Sequence, residues 1–238
     1  MIISLIPTRR TTSCTPQVLT AIKGNWFPTY RADVFISHSH KDEEKVIALA
    51  GWLNEKFDLN VFIDSCVWGY CNDLLKAIDN KYCLNEKKDA YDYDLRNYTT
   101  SHVHMMLSMA LTDMIDLSEC IIFFNTPSSV EIKRDIETLK NIDTKITLSP
   151  WIYNELAISN KLRPHYPHRD SIILEHRYSH SSGPMEIEYG IGKYLSGFED
   201  FDENDLQEWE NMYLKSNIHA LDVIYKYIEE KKGYGSIF

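Results

Sequence analysis

Three short apolar runs set the terms for this chain: Val34-Phe35-Ile36, Val61-Phe62-Ile63 and Ile121-Ile122-Phe123-Phe124. Each is apolar on consecutive residues rather than on alternate ones. That pattern belongs to strands covered on both faces, and strands of that kind sit in parallel sheets between helices. The intervening segments carry helical spacing. Val46, Leu49, Ala50, Leu53 and Phe57 mark a first helix, Leu74, Leu75, Ile78 and Tyr82 a second, and Val103, Met106, Leu107, Ala110, Leu111 and Met114 a third. Parallel strands need crossover connections, so this alternation predicts an α/β fold with helices on both sides of a parallel sheet.

Further elements extend the pattern. A helix is expected from about Ser149 with Leu156 and Leu162 inward, and a fourth strand at Ser171-Ile172-Ile173-Leu174. The whole predicts a doubly wound, flavodoxin-like parallel sheet of four or five strands. Residues 1–30 read as an irregular or short helical extension, and 31–183 as the main domain. Two insertions interrupt that domain. One, at 84–99, is charged and tyrosine-rich without a clear period; the other, at 126–148, is helical in part from Val130 to Lys140. Residues 184–238 read as a helical extension packed on the same domain, its apolar face including Trp209, Met212, Leu221, Ile224 and Ile228.

Charge and cysteine content narrow the partners. With 238 residues the chain is long enough for a sizeable core, and its net charge of −10 argues against a general nucleic-acid or anionic-membrane surface. The five cysteines are odd in number, form no CxxC pair and have no zinc-ligand spacing; a reducing, cytoplasmic setting is expected. The run from Met1 to Ile6 stops at Pro7 and precedes Arg9 and Arg10, which is too short and wrongly ordered for a secretion signal. No apolar run approaches membrane-spanning length.

Chemistry concentrates at two places. Asp33-Val34-Phe35-Ile36-Ser37-His38-Ser39-His40-Lys41-Asp42 runs from a strand through a polar turn into a helix start. Ser149-Pro150-Trp151-Ile152-Tyr153-Asn154-Glu155-Leu156 opens a helix with a carboxylate in an aromatic, apolar frame. Strand ends and helix starts meet at one edge of such a sheet, where ligands bind. Ser37, His38 and Ser39 are candidates to hold a ribose or phosphate, and equally to serve turn chemistry, with Ser39 or Asp42 capping the helix. Asp64 either binds ribose hydroxyls or caps its loop. Phe35 belongs with the turn after the first strand, its backbone a candidate for the same ribose or phosphate contact; Phe62 flanks the base or fills core, and Trp151 walls a ligand or packs inward. Glu155 is either catalytic or a solvated glutamate favoured by the helix dipole. His102 and His104 lie two apart on different helix faces, which argues against a metal site. His165 and His168 with Arg163 and Arg169 form a basic patch or an ordinary polar loop.

These residues resemble a known family. Asp33 to Asp42 is similar to the opening of a Toll/interleukin-1 receptor (TIR) domain, Val61-Phe62-Ile63-Asp64 to that family's second strand, and Ser149 to Leu156 to its Ser…Trp…Glu-Leu segment. The order of elements matches over about 32–175. The chain departs from the family in its two insertions and in Trp68-Gly69-Tyr70, which stands where a glycine-rich turn is usual. The resemblance implies an NAD-consuming enzyme, an NAD glycohydrolase or ADP-ribosyl cyclase type, with Glu155 catalytic, NAD as substrate and no further cofactor. A free-standing domain of this kind looks most like the TIR enzymes of anti-phage defence, including the TIR subunit of Thoeris systems. Those enzymes make an ADP-ribose-derived signal that activates an effector protein, so the implied partners are that effector, a phage-protein trigger and further copies of the chain. The rival implied by the same resemblance is a non-enzymatic TIR adaptor that acts by TIR–TIR assembly. A phosphoacceptor receiver domain needs acids clustered at the first strand's end, and here that end is Ser-His-Ser-His.

Overall fold

A computed structural model of the chain describes residues 2–7, 31–63, 65–85, 87, 90–134, 143–162 and 189–235. The elements run β1 (Ile2–Pro7), β2 (Val34–Ser37), a 3-10 turn (His40–Asp42), α1 (Glu43–Phe57), β3 (Val61–Ile63), α2 (Ser65–Ile78) and a π turn (Asp79–Cys83). They continue with α3 (Tyr93–Leu117), β4 (Cys120–Asn125), β5 (Glu131–Arg134), β6 (Asp143–Thr147), α4 (Pro150–Lys161), β7 (Tyr189–Gly190), α5 (Gly192–Leu195), β8 (Glu199–Phe201), α6 (Glu203–Leu214) and α7 (Ala220–Gly235).

The main sheet has the order β3-β2-β4-β1-β8. Its parallel part is three strands: β2 pairs with β3 in the register Val34↔Val61 and with β4 in the register Val34↔Cys120. β1 runs antiparallel to β4 and to β8. The three apolar runs are therefore the parallel strands, in an order compatible with a flavodoxin-like sheet. Among the described residues the parallel part has fewer strands than the four or five expected, and the strand expected at 171–174 lies outside them.

Side-chain alternation along the strands divides the core in two. Val34 and Ile36 of β2, with Cys120, Ile122 and Phe124 of β4, face Val46, Leu49, Leu53 and Phe57 of α1 and Leu206, Trp209, Leu221 and Ile224 of α6 and α7. Phe35, Phe62, Ile121 and Phe123 face Leu74 of α2, Val103 and Leu107 of α3, and Ile152 and Leu156 of α4. Helices thus cover both faces, which is why the strands could be apolar on every residue. α1 ends at Asp58, whose φ of 55° is the one left-handed backbone outside glycine among the described residues and stops the helix.

Five expectations are corrected. Part of the region read as an irregular or helical extension, Ile2–Pro7, is a strand of the main sheet. The tyrosine-rich insertion is not all loop: after the Leu84–Tyr91 bridge, α3 begins at Tyr93, because Asp92 caps it by accepting from the Leu95 N–H at 2.9 Å. The helix expected from Val130 is instead strand at Glu131–Arg134, hydrogen-bonded to β6, and a second sheet β5-β6-β7 forms there. The C-terminal region carries β7 and β8 besides its helices. Trp68-Gly69-Tyr70 lies within helix α2, where the resemblance implied a loop.

Candidate functional site

The carboxyl ends of β2, β3 and β4 lie side by side because the strands are parallel and in register. Side chains then stitch the connections at this edge. Thr126, just past β4, donates its hydroxyl to Asp42 Oδ2 at 2.5 Å, and Lys45 donates to Asp42 Oδ1 at 2.9 Å. Ser65, opening α2, donates to Glu43 Oε1 at 3.0 Å. The segment after β2 is thus tied to the segments after both its neighbours. Neither Ser39 nor Asp42 makes a side-chain cap bond, so the capping role expected of them is not what holds this turn.

Sequence reading missed Thr126 and Ser65, and it gave Asp42 the wrong job. A signal existed for Thr126: with Asn125 it forms the polar pair that follows the Ile-Ile-Phe-Phe run at the same sheet edge as Ser37.

Burial sorts the remaining candidates. Phe35 and Phe62 are fully buried and stack on each other with ring centroids 5.4 Å apart, so they build the floor of the core at this edge. Ser37 follows Phe35 by two residues and shares its face, the face covered by α2, α3 and α4. Its hydroxyl is buried and makes no hydrogen bond. His38 is buried, 4% exposed, with its ring in edge contact with the exposed His40 at 6.5 Å. Ser39 is half-buried and Lys41 exposed. Asp64 and the basic patch at 163–169 lie outside the described residues.

Glu155 is 1% exposed. The reading of a solvated glutamate at a helix start is therefore overturned. α4 begins where Ser149 accepts from the Ile152 N–H at 3.3 Å with Pro150 in the first turn, and this phase puts Ile152, Glu155, Leu156 and Ser159 on the buried side. Ile152 and Leu156 share one apolar cluster with Phe35 and Phe62, so Glu155 enters from the same side of the sheet as Ser37. Asn154 donates to Ser108 Oγ at 3.2 Å and fixes α4 against α3. Trp151 is half-buried, packed on that cluster and edge-on to His104 at 5.5 Å. Among the described residues no group of three His, Cys, Asp or Glu side chains could hold a metal ion, and no helix is long and apolar enough to cross a membrane.

Two buried carboxyls give the fold an acid limit. Burial pushes Asp42 up, but the Thr126 and Lys45 hydrogen bonds and the charges of Lys45 and His38 outweigh it and hold the carboxyl below its ordinary range. Burial likewise raises Asp205, and bonds from Tyr227, the Asp202 backbone and Lys231 bring it down. Tyr227 donates to Asp205 at 2.6 Å and is itself pushed up to about 12, chiefly by that bond. A carboxyl depressed in the folded state stabilises above its unfolded pKa of about 3.9, and that contribution vanishes as pH falls through the lower folded value. Urea titrations at pH 7 and pH 3 should show the parent losing stability on acidification. Asp42→Asn should be weaker than the parent at pH 7 by about 1–3 kcal/mol and lose less between the two pH values. An equal acid loss in parent and variant refutes the assignment for Asp42. Cys120 contributes no thiolate chemistry at neutral pH, since complete burial, with the charge of Glu119, pushes its thiol far up.

Set against known proteins, the chain matches no family model, no curated protein and no solved structure.

Proposed function

We propose that this chain is a TIR-like enzyme that cleaves the nicotinamide–ribose bond of NAD and passes the ADP-ribosyl group to an acceptor, as in anti-phage defence enzymes of that family. The observation that carries the reading is Glu155: a carboxylate 1% exposed, on the sheet-facing side of the helix that opens Ser149-Pro150-Trp151, and on the same sheet face as Ser37. A buried carboxylate is costly for a fold to keep, and a stability role alone is better served by an apolar side chain.

The chemistry asks for one such group. The bond breaks with its electron pair going to the ring nitrogen, so nicotinamide leaves neutral and needs no proton. This differs from an ordinary glycoside, whose leaving oxygen must be protonated. Positive charge grows on the ribose, and a fixed carboxylate in a water-poor setting stabilises it as it develops. The acceptor then adds to the anomeric carbon and gives up its proton. Water yields ADP-ribose, and an internal nucleophile yields a cyclic product, which is ADP-ribose less one water. The Ser37 hydroxyl, buried and without a hydrogen bond in the free chain, is suited to orient the ribose or a phosphate.

The test is to incubate the chain and its Glu155→Gln variant with NAD and follow nicotinamide and its co-product by mass spectrometry. Release by the parent and not by the variant supports the reading. Equal release by both overturns it.

A further inference from the structure

The two halves of the candidate site come from distant parts of the chain: Ser37 ends β2, and Glu155 sits on α4. A buried carboxyl joins the segments that lead to them. Asp42 is 3% exposed, and each of its carboxyl oxygens has a donor, Lys45 on Oδ1 and Thr126 on Oδ2. Lys45 is three residues away on α1, so that bond is local. Thr126 is 84 residues away, and its bond crosses from the turn after β2 to the chain after β4.

Both ends of that bond are anchored. The Asp42 N–H donates to the Ser39 carbonyl at 2.8 Å and closes the turn that follows Ser37 and His38. On the other side, Thr126 Oγ1 accepts from the Ser128 N–H at 3.1 Å, and the Thr126 carbonyl accepts from the N–H groups of Ser129 and Val130, both at 3.0 Å. Ser129 Oγ accepts from the Thr126 N–H at 2.9 Å, so Thr126 is the centre of a closed turn. Two routes lead from this turn to the helix of Glu155. Val130 is buried in the apolar cluster that also holds Ile152 and Leu156 of α4. Along the chain, Glu131 pairs with Ile146 of β6, and β6 runs into α4 at Ser149, whose N–H donates to Thr147 Oγ1 at 3.2 Å.

We propose that Thr126 is a positioning residue, an assignment that rests on the NAD-cleaving reading: its hydroxyl, held on Asp42, fixes the distance between the Ser37–Ser39 turn and the helix that carries Glu155. A carboxylate stabilises growing positive charge only from a fixed place, and a small displacement is costly in rate. Removing the hydroxyl leaves a buried carboxylate oxygen without its donor, and the turn must move to find another. Thr126 itself touches no substrate; it acts through the two segments it joins.

Amide hydrogen exchange, read by mass spectrometry on the full chain and its Thr126→Val and Thr126→Ser variants, tests the assignment. Valine keeps the shape and loses the hydroxyl; serine keeps the hydroxyl. The valine variant should exchange at least ~10-fold faster than the parent in segments 36–42 and 149–156, with segment 220–232 of α7 at the parental rate. The serine variant should stay near the parent in all three. Parental exchange of the valine variant in either site segment, an equal rise in α7, or a serine variant as fast as the valine one overturns the assignment. These rates are read whether or not the chain turns over. Where the parent releases nicotinamide from NAD, the valine variant should lower kcat at least ~10-fold with KM within ~3-fold of the parent, and the serine variant should recover the rate. A valine variant at the parental kcat overturns the positioning role and leaves the NAD reading standing. Equal release by the parent and Glu155→Gln overturns the NAD reading and leaves the exchange result standing.

Discussion

Replacing Trp209 with alanine should lower the free energy of unfolding by about 3–5 kcal/mol, the scale for deleting a large buried aromatic. Trp209 is 1% exposed and sits where α6 meets α1. Its ring stacks on Phe57 with centroids 4.2 Å apart and meets Trp52 edge-on at 6.1 Å. Its indole N–H donates to the Ala220 carbonyl at 2.9 Å, which fixes the entry to α7. Alanine would open a cavity and also leave that carbonyl unsatisfied in a buried setting. Trp209→Phe keeps most of the volume and loses the donor, so its cost should fall well below that of alanine. Urea titration of the three proteins decides the matter. A cost under about 1 kcal/mol for alanine would show that α6 and α7 add little to the core beneath them.

On the proposed reading, Glu155→Gln should slow nicotinamide release by about 10²–10³-fold, or roughly 3–4 kcal/mol in the barrier. Glutamine has nearly the same shape and none of the charge, so it separates electrostatic work from packing. Nothing in the exchange removes an apolar contact with Ile152 or Leu156, the buried neighbours of Glu155 on α4. The variant should therefore melt near the parental temperature or above it, since a buried charge is exchanged for a neutral amide. Loss of turnover together with loss of folding would assign Glu155 to structure instead. Parental turnover in a folded variant would remove it from the chemistry.

The fold was legible where one physical rule acted alone. Three runs of consecutive apolar residues became three parallel strands, because burial on both faces leaves no polar positions to alternate. The spacing of Val46, Leu49, Leu53 and Phe57 became α1 for the same kind of reason. Legibility failed where partners were distant. Ile2–Pro7 has no strand signal that a helix or loop could not share; it is a strand because Cys120–Asn125 and Glu199–Phe201 offer open edges on either side. Glu131–Arg134 is likewise fixed by β6 and not by its own residues. At the site, Glu155 was visible through its Ser-Pro-Trp setting, whereas its burial was not, since exposure depends on how α4 is phased onto the sheet. Asp42 was read as a local cap because local rules were all the sequence offered. Its true neighbour Thr126 is 84 residues away, beyond the reach of any spacing argument.

The placement of β1 sets the order in which the sheet can be completed. β8 touches the main sheet through β1, by pairing Ile3 with Phe201 and Leu5 with Glu199. At translation speeds of roughly 5–20 residues per second, residues 2–7 wait on the order of ten seconds or more for that neighbour to emerge from the ribosome. During that interval one long margin of β1 has no strand to bond with, a state open to mispairing with other nascent chains. Closing that margin late is a liability built into the topology, one that a chaperone holding the nascent chain would relieve.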